Sequence, residues 1–308
     1  MRILMTGATG YLGGHLRAAF ARAGHDVVGL GSADADLRRD DALERFTDRY
    51  DQIWHLAAWT QAGDFCIFHP GEQWVINQRI NTNVLDWWSR RQPQAKLISI
   101  GTSCSYAPGE ALVEDNYLRG EPVPELYAYA MTKRMLYVGQ RALSKQYGLR
   151  YLTLIPSTLF GSGYHTAGKQ LHFIFDLIRK IARAKVFGEP AVLWGDGGQK
   201  RELIYVDDFV RAALELSVSV DNELVNVGSG REFSIRWYAD VIAKRLQCPP
   251  DRIQYDTSKY VGVRSKQLST QKLQALLPAF RFTPLEDALG RVVDEYAAAL
   301  ARDGAVQH

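Results

Sequence analysis

The sequence predicts an α/β protein with a doubly wound parallel sheet and a smaller α/β domain interwoven in its C-terminal half. Short apolar runs alternate with helix-compatible stretches up to Phe160, which is the pattern of consecutive βαβ units. A glycine-rich turn at 7–13 follows the first of these runs. Beyond Phe160, helices and short strands mix without an intervening linker, which favours a second domain woven into the first.

The bulk composition is that of an ordinary globular protein. The chain has 308 residues, 46% hydrophobic and 23% charged, with a net charge of +3. So small a charge, scattered among acids, gives no reason to expect nucleic-acid binding. No apolar run approaches the ~20 residues that span a bilayer, so we expect no membrane partner either.

The cysteines and the N-terminus indicate a cytoplasmic protein without a metal site. Cys66, Cys104 and Cys248 are odd in number and lack metal-ligand spacing, as in proteins whose thiols stay reduced. The first apolar run begins at residue 2, which leaves no room for a signal peptide.

The N-terminal βαβ unit contains the turn Gly7-Ala8-Thr9-Gly10-Tyr11-Leu12-Gly13. A strand at 2–6 precedes it, and the helix that follows ends at Gly24. In such a unit backbone amides and a helix N-terminus can hold a pyrophosphate, and glycines let the backbone approach it closely. The spacing Gly-x-x-Gly-x-x-Gly differs from the commoner Gly-x-Gly-x-x-Gly.

The later elements continue the alternation. The sequence predicts strands at 25–30, 51–58, 96–100 and 150–155, and helices at 74–91, 129–147 and 172–185. A further strand and turn are expected at 225–230. Strands that alternate with helices form a parallel sheet whose ligands bind at the carboxyl ends of the strands.

The stretch from Gly101 to Lys133 contains the groups best suited to chemistry. Thr102 follows the buried run 96–100, and Tyr129 and Lys133 share one helix face at i and i+4. An ammonium beside a phenol favours the phenolate, so we expect the pKa of Tyr129 to fall from about 10 towards neutrality. Such a tyrosine can exchange a proton with a hydroxyl or carbonyl oxygen, to which Thr102 could also hydrogen-bond.

Together these residues resemble the extended short-chain dehydrogenase/reductase (SDR) family that acts on nucleotide sugars. The resemblance covers nearly the whole chain and rests on Gly7, Gly10, Gly13, His55-Leu56-Ala57-Ala58, Thr102, Tyr129, Lys133, Val206-Asp207-Asp208 and 226–230. It implies a Rossmann domain that binds NAD(P), at 1–165 plus about 203–230. It also implies a nucleotide-sugar-binding domain, at about 166–202 plus 231–308, and frequent homodimers.

The resemblance further implies which residues contact the cofactor. They are Gly7, Thr9, Gly10, Tyr11, Leu12, Gly13, Ser32, Asp36, Leu37, Leu56, Ala57, Ala58, Tyr129, Lys133, Pro156, Thr158 and Leu159. An acid at the end of the second strand would bind the 2′-hydroxyl of NAD. Gly31 and Ser32 stand there instead, with Arg38 and Arg39 nearby, so the sequence favours NADP. The pair Asp36-Leu37 resembles the family's adenine-contacting pair.

Within the family, the stretches 101–106, 171–174 and 194–208 resemble the branch that epimerises and reduces GDP-linked 4-keto-6-deoxy sugars. By position, Cys104 and His172 match the pair that epimerises, and Tyr129 and Lys133 match the pair that reduces. The residues that the resemblance places against the substrate are Ser103, Cys104, Thr158, His172, Trp194 and Arg201. Thr158 stands where this branch usually has Asn, which leaves the exact sugar open.

Epimerisation and reduction each require side chains of the types found at these positions. Hydrogens beside a C4 ketone are acidic, and inversion takes a base on one face of the carbon and an acid on the other. A thiol and an imidazole, with pKa values of about 8.5 and 6.5, both titrate near working pH. Thr102 and Tyr129 would bind the ketone oxygen as it gains charge. Tyr129 would protonate that oxygen when nicotinamide delivers hydride, and Lys133 would bind the cofactor ribose.

Other activities stay open at this point. The sugar-nucleotide dehydratases have Asp-Glu where Ser103 and Cys104 stand, so dehydration is not expected. A simple 4-ketoreductase or 4-epimerase would leave Cys104 and His172 idle. A cofactor-sensing protein without turnover would keep the fold but would not need the intact set of Thr102, Tyr129 and Lys133, which argues against this alternative.

Structural roles compete with some of these assignments. Trp194 could belong to the core, and Arg201 could be a solvated surface charge. Asp207 and Asp208 are expected at a helix N-cap rather than in catalysis.

Overall fold

The computed structural model describes residues 1–61, 65–164, 171–259 and 263–305, with side chains described as far as residue 300. The strands are β1 (Arg2–Thr6), β2 (Asp26–Leu30), β3 (Gln52–His55), β4 (Lys96–Ile100), β5 (Tyr151–Pro156), β6 (Thr158–Phe160), β7 (Ala191–Trp194), β8 (Lys200–Tyr205), β9 (Glu223–Val227), β10 (Glu232–Ser234) and β11 (Ile253–Asp256). The α-helices are α1 (Tyr11–Arg22), α2 (Phe65–Phe68), α3 (Pro70–Arg91), α4 (Tyr127–Tyr147), α5 (Phe173–Phe187), α6 (Val206–Ser219), α7 (Ile235–Leu246), α8 (Gln271–Leu276) and α9 (Leu285–Ala305).

The predicted parallel sheet is confirmed. It has six strands in the order β2-β1-β3-β4-β5-β9, and every neighbouring pair is parallel. Thr6 at the end of β1 pairs with both Leu30 and His55, the last residues of their strands. The glycine turn, the segment after β3 and the loop after β4 therefore start from the same edge of the sheet, where ligands of doubly wound sheets bind.

The chain divides into two compact units. The first contains residues 1–157, 209–228 and 268–280, and the second contains 158–208, 229–267 and 281–308. The apolar core of the second unit includes Ile178 on α5, Tyr238 and Ile242 on α7, and Leu289 on α9.

This division differs in detail from the predicted boundaries. Residues 158–164 belong to the second unit because β6 pairs with β8 rather than with the main sheet. Residues 268–280 belong to the first, because Lys272 donates to Leu224 O and the Ser269 amide donates to Leu112 O. Part of the predicted boundary, 165–170, lies outside the described residues.

Local chemistry explains where α3 begins and where α4 ends. α3 starts at Pro70, four residues before the predicted start, because proline suits the first helical position. α4 ends at Gly148, as predicted, and this glycine has a φ of +71°, which costs glycine little. In the described part of the chain, no helix is long and apolar enough to cross a membrane.

Candidate active site

The glycine turn is packed so closely that only glycine fits at two positions. Gly7 has a φ of +68°, and a Cβ there would lie 2.7 Å from the Ala57 amide nitrogen. A Cβ at Gly13 would lie 2.3 Å from the Gly7 carbonyl oxygen. α1 begins at Tyr11 after Gly10, whose position offers no side-chain cap to the first-turn amides. Uncapped amides at a helix N-terminus, reached by a close-packed turn, fit a dinucleotide pyrophosphate.

The loop after β2 is held by carboxylates. The Gly31 amide donates to Asp34 Oδ2 at 2.8 Å. Asp36 accepts from Arg38 Nε and Nη2, both at 2.7 Å, and this pairing lowers the pKa of Asp36 to about 2. Arg39 pairs in the same way with Asp41. The two arginines that the sequence places near the adenosine end of the cofactor are therefore both engaged by neighbouring acids.

The other predicted cofactor contacts occupy the same edge of the first unit. Ser32 is exposed and Leu37 is buried. The Leu37 carbonyl accepts a hydrogen bond from Asn83 of α3. Leu56 donates its amide to Thr6 O, and Ala57 donates to the Thr6 hydroxyl.

The predicted cofactor contacts around the end of β5 fall in different units. Pro156 closes β5 in the first unit, while Thr158 and Leu159 belong to β6 in the second. The predicted contacts of Thr158 with cofactor and substrate stay predictions.

The loop after β4 forms a capped turn. The Thr102 hydroxyl accepts a hydrogen bond from the Cys104 amide at 3.2 Å and caps the 3-10 turn Ser103–Ser105. Ser105 donates from its hydroxyl to the Ala130 carbonyl of α4 at 3.1 Å. This turn therefore lies directly against the helix that carries the Tyr-x-x-x-Lys pair. We call residues 101–105 the catalytic turn because they include the predicted catalytic residues Thr102 and Cys104.

Tyr129 is half-buried and Lys133 is buried. Burial raises the pKa of Tyr129, the nearby Cys104 thiol adds to the effect, and a hydrogen bond with Thr102 opposes it. Burial lowers the pKa of Lys133 to about 8, and its ammonium donates to Ile100 O at 2.9 Å. The structure thus brings Thr102, Cys104 and Tyr129 together.

The predicted lowering of the Tyr129 pKa is wrong. Tyr129 and Lys133 do lie on one helix, but the Lys133 ammonium donates to Ile100 O, and the sequence contains no direct measure of desolvation. The phenol is buried enough that desolvation of the phenolate dominates its pKa.

The sequence analysis did not place Cys66 near the candidate site. It lies on α2, is buried, and its thiol interacts with the side chains of Gln73 and Thr60. Burial raises the pKa of Cys66, and both Cys66 and Cys104 act electrostatically on Tyr129. No spacing signal links residue 66 to residue 129, so only the fold could place this second thiol near the phenol.

His55 forms a buried link between β1 and α3. Its ring nitrogens share hydrogen bonds with the Thr6 hydroxyl at 2.8 Å and with Asn81 Oδ1 at 3.2 Å. Asn81 in turn donates to the Thr132 carbonyl, next to Lys133. Burial, with a smaller contribution from the Lys133 charge, lowers the pKa of His55 to about 4, so the ring is neutral at physiological pH.

The predicted residues of the second unit are more open. His172 is exposed and occupies the N-cap position of α5, with its ring 6.1 Å from that of Tyr164. Trp194 ends β7 and is 55% exposed, which excludes the core role for this side chain. Arg201 is half-buried on β8, and its Nη1 donates to the carbonyls of Lys200 and Val263.

The expectation for Asp207 and Asp208 is corrected. α6 begins at Val206, so both carboxylates lie in its first turn rather than at its N-cap. Asp208 is buried and accepts hydrogen bonds from the amide and the hydroxyl of Thr283, each at 2.8 Å. Its role is to hold the segment before α9. Across the described ranges, no group of His, Cys, Asp and Glu side chains could hold a metal ion.

The chain is similar to known proteins over most of its length. Residues 3–228 match the model of the NAD dependent epimerase/dehydratase family. The GDP-L-fucose synthase of Azorhizobium caulinodans is 31% identical over 288 residues, which cover 89% of this chain and 90% of that protein. The GDP-L-colitose synthase of Yersinia pseudotuberculosis is 29% identical, with 89% and 91% covered.

Solved structures show the same fold. The GDP-L-fucose synthetase of Naegleria fowleri, solved with NADP bound, superimposes with a TM-score of 0.85 at 27% identity over 97% of this chain and 95% of that chain. A GDP-6-OMe-4-keto-L-xylo-heptose reductase from C. jejuni superimposes with a TM-score of 0.87 at 17% identity, covering 97% and 98%. The chain belongs to the NAD dependent epimerase/dehydratase family, as its motifs predict.

Proposed function

We propose that the protein is an NADPH-dependent epimerase/reductase that acts on a GDP-linked 4-keto-6-deoxyhexose, inverting the carbons beside the ketone and then reducing the ketone. The observation that carries this proposal is the meeting of Thr102, Cys104 and Tyr129 on one turn and one helix. Thr102 and Tyr129 suffice to bind the ketone oxygen during reduction. An enzyme that also epimerises needs a further proton-transfer group beside them, and the Cys104 thiol is such a group. The relatives named as GDP-L-fucose and GDP-L-colitose synthases support the GDP-linked substrate.

Epimerisation needs two proton-transfer groups, for which we propose Cys104 and His172. One removes the proton from the carbon beside the ketone, and the electron pair moves onto the ketone oxygen. The Thr102 and Tyr129 hydroxyls hydrogen-bond that oxygen and stabilise its charge. The other group returns a proton to the opposite face of the carbon, which inverts it. Trp194 and Arg201 contribute to holding the substrate, with Ser103 and Thr158.

Reduction then uses the pair on α4. Bound NADPH supplies the hydride that C4 receives. Tyr129 gives its proton to the oxygen, and its raised pKa suits this direction because the phenol stays protonated at neutral pH. Lys133, whose ammonium donates to Ile100 O at the end of β4, holds the cofactor ribose.

The cofactor preference and the cellular setting belong to the same proposal. NADP is supported by the absence of an acid at Gly31 and Ser32 and by the NADP bound to the Naegleria fowleri protein. We assign dinucleotide binding to the first unit and nucleotide-sugar binding to the second. We place the enzyme in the cytoplasm as a homodimer.

The test is to supply GDP-4-keto-6-deoxy-D-mannose and NADPH in D2O and to examine the product by NMR. We expect deuterium at C3 and C5 with inverted configuration, and loss of both labels in Cys104→Ser and in His172→Ala. Reduction without deuterium at either carbon would leave a simple ketoreductase. If none of a panel of nucleotide-linked keto sugars oxidises NADPH, the proposed activity is wrong.

A further inference from the structure

Arg134 follows Lys133 on α4 and is almost completely buried. Its Nε donates to the Ser105 carbonyl at 3.0 Å, and its Nη2 donates to the same oxygen. Nη1 donates to Gly120 O at 2.7 Å, and Nη2 also donates to Arg119 O at 2.8 Å. One guanidinium therefore joins the active-site helix to the catalytic turn and to the loop at 119–120.

A guanidinium in this position is energetically costly. Burial lowers the pKa of Arg134, and each of its recorded hydrogen bonds goes to a backbone carbonyl rather than to a carboxylate. Neutral acceptors offset less of the desolvation cost of a charge than an opposite charge does. An aliphatic side chain could fill the same space on the helix, so the position calls for an explanation beyond packing.

The catalytic turn also packs against Tyr117. This residue is buried, and its hydroxyl lies beside the Ser105 side chain and the Thr102 backbone. A Cβ at Gly101 would lie 3.0 Å from the Tyr117 hydroxyl, so the start of the turn is in close contact with the phenol. The Ser105 hydroxyl bond to Ala130 O adds a third attachment.

We propose that Arg134 is a positioning residue that fixes the catalytic turn, and with it the Cys104 thiol and the Thr102 hydroxyl, relative to Tyr129. The inference rests on the proposed function for its chemical consequence but not for its geometry. Tyr129 lies on the same helix as Arg134 and keeps its place without the guanidinium, whereas Cys104 lies on the turn that the guanidinium holds. Loss of Arg134 therefore affects proton transfer at carbon more than proton transfer to the ketone oxygen.

The first test compares Arg134→Met and Arg134→Lys with Gln140→Met. Gln140 is a matched control because it is buried on α4 and bonds to Ser99, Thr153 and Leu97 O, away from the turn. Misplacing a reacting group by about 1 Å can cost about 100-fold in rate. We expect Arg134→Met to slow deuterium uptake at carbon by about 10- to 100-fold, NADPH oxidation by less, and KM to change little. Arg134→Lys should recover part of the loss.

Equal losses of both activities in Arg134→Met and Gln140→Met would overturn the proposal, because they would indicate a general loss of helix packing. Unchanged deuterium uptake in Arg134→Met would overturn it as well. Tyr117→Phe provides a milder variant that removes one hydroxyl, and we expect it to slow deuterium uptake in the same direction by a smaller factor.

A second readout does not depend on the substrate. We would measure the rate at which iodoacetamide alkylates Cys104, by mass spectrometry across pH 6 to 10, with Cys248 of the second unit as an internal reference. Arg134→Met is expected to change the rate and the pH midpoint of Cys104 alkylation, while Gln140→Met matches the parent protein. An unchanged Cys104 profile in Arg134→Met would refute the positioning role. If the profile changes but no keto sugar reacts, the proposed function fails and the positioning role stands.

Discussion

The site residues of the two units are built differently. In the first unit, hydrogen bonds tie Thr102 to the Cys104 amide of the turn and Lys133 to the end of β4. Burial shifts the pKa values of Tyr129 and Lys133. His172 and Trp194 in the second unit are exposed at the start of a helix and at the end of a short strand. The groups proposed to bind the ketone oxygen are thus fixed by the fold, whereas the residues proposed in the second unit are accessible. Variants of the two sets should therefore behave differently.

The largest effect is expected in the glycine turn of the first unit. In Gly13→Val, the new Cβ would lie 2.3 Å from the Gly7 carbonyl oxygen and 2.8 Å from the Ala8 Cα, and these backbone atoms cannot move without opening the turn. We expect NADPH affinity, measured by calorimetry, to fall by at least about 100-fold, since the amides at the helix N-terminus lose their arrangement.

Gly14→Ala is the matched control for this variant. A Cβ at Gly14 would meet nothing within 4 Å, and alanine favours the helix by about 1 kcal/mol. Gly14→Ala should bind NADPH like the parent protein. Equal affinities for Gly13→Val and the parent would contradict the role of the turn.

The next largest effect is expected at the phenol. Tyr129→Phe removes the proton that the ketone oxygen receives, so NADPH oxidation should slow by about 100- to 10,000-fold. Deuterium uptake at carbon should decrease less, because the proposed proton-transfer groups Cys104 and His172 remain. Tyr127→Phe, which changes an exposed phenol two residues earlier, should leave both rates unchanged. A Tyr129→Phe enzyme with normal NADPH oxidation would exclude Tyr129 as the acid.

The first unit could be predicted from the sequence in outline because its signals are local. Glycine spacing predicts the turn at 7–13, and the i and i+4 spacing predicts that Tyr129 and Lys133 share a helix face. The membership of Thr102 in the same site follows from the rule that parallel strands end at one edge. The pKa of Tyr129 could not be predicted this way, because burial is a property of the whole packed unit rather than of any stretch.

The parts that the sequence analysis missed are contacts between distant stretches. Cys66 reaches the surroundings of Tyr129 through the fold of α2, and Arg134 reaches the Ser105 carbonyl across 29 positions of chain. Neither residue belongs to a motif of fixed spacing. The pairing of β6 with β8 is another contact between distant stretches that no local signal indicates.

The stability of the first unit should depend on pH through His55. The pKa of His55 is lowered to about 4 from 6.5 by burial, so between these values the unfolded chain binds a proton that the folded chain does not. The free energy of unfolding should therefore fall as pH drops from 6.5 to about 4, by about 3 kcal/mol in total. Urea unfolding of the parent protein and of His55→Gln at several pH values measures this.

The His55→Gln variant should show a flatter pH dependence over this window. His25→Gln serves as its control, because His25 is not buried and its replacement should leave the dependence as in the parent. If the His55→Gln and parent curves run parallel from pH 7 to 4, another group causes the acid sensitivity.

The smallest effect on stability, with a clear effect on binding, is expected at Trp194. Its side chain is 55% exposed, so Trp194→Ala should change the free energy of unfolding by less than about 1 kcal/mol. If the indole contacts the substrate, KM for the nucleotide sugar should rise about tenfold, which corresponds to about 1.4 kcal/mol.

Val192→Ala is the control for this variant. It removes an exposed side chain two residues earlier on the same face of β7 and should leave KM unchanged. A Trp194→Ala protein that unfolds readily would show that the second unit also depends on its exposed residues, and the comparison between the two units would then fail.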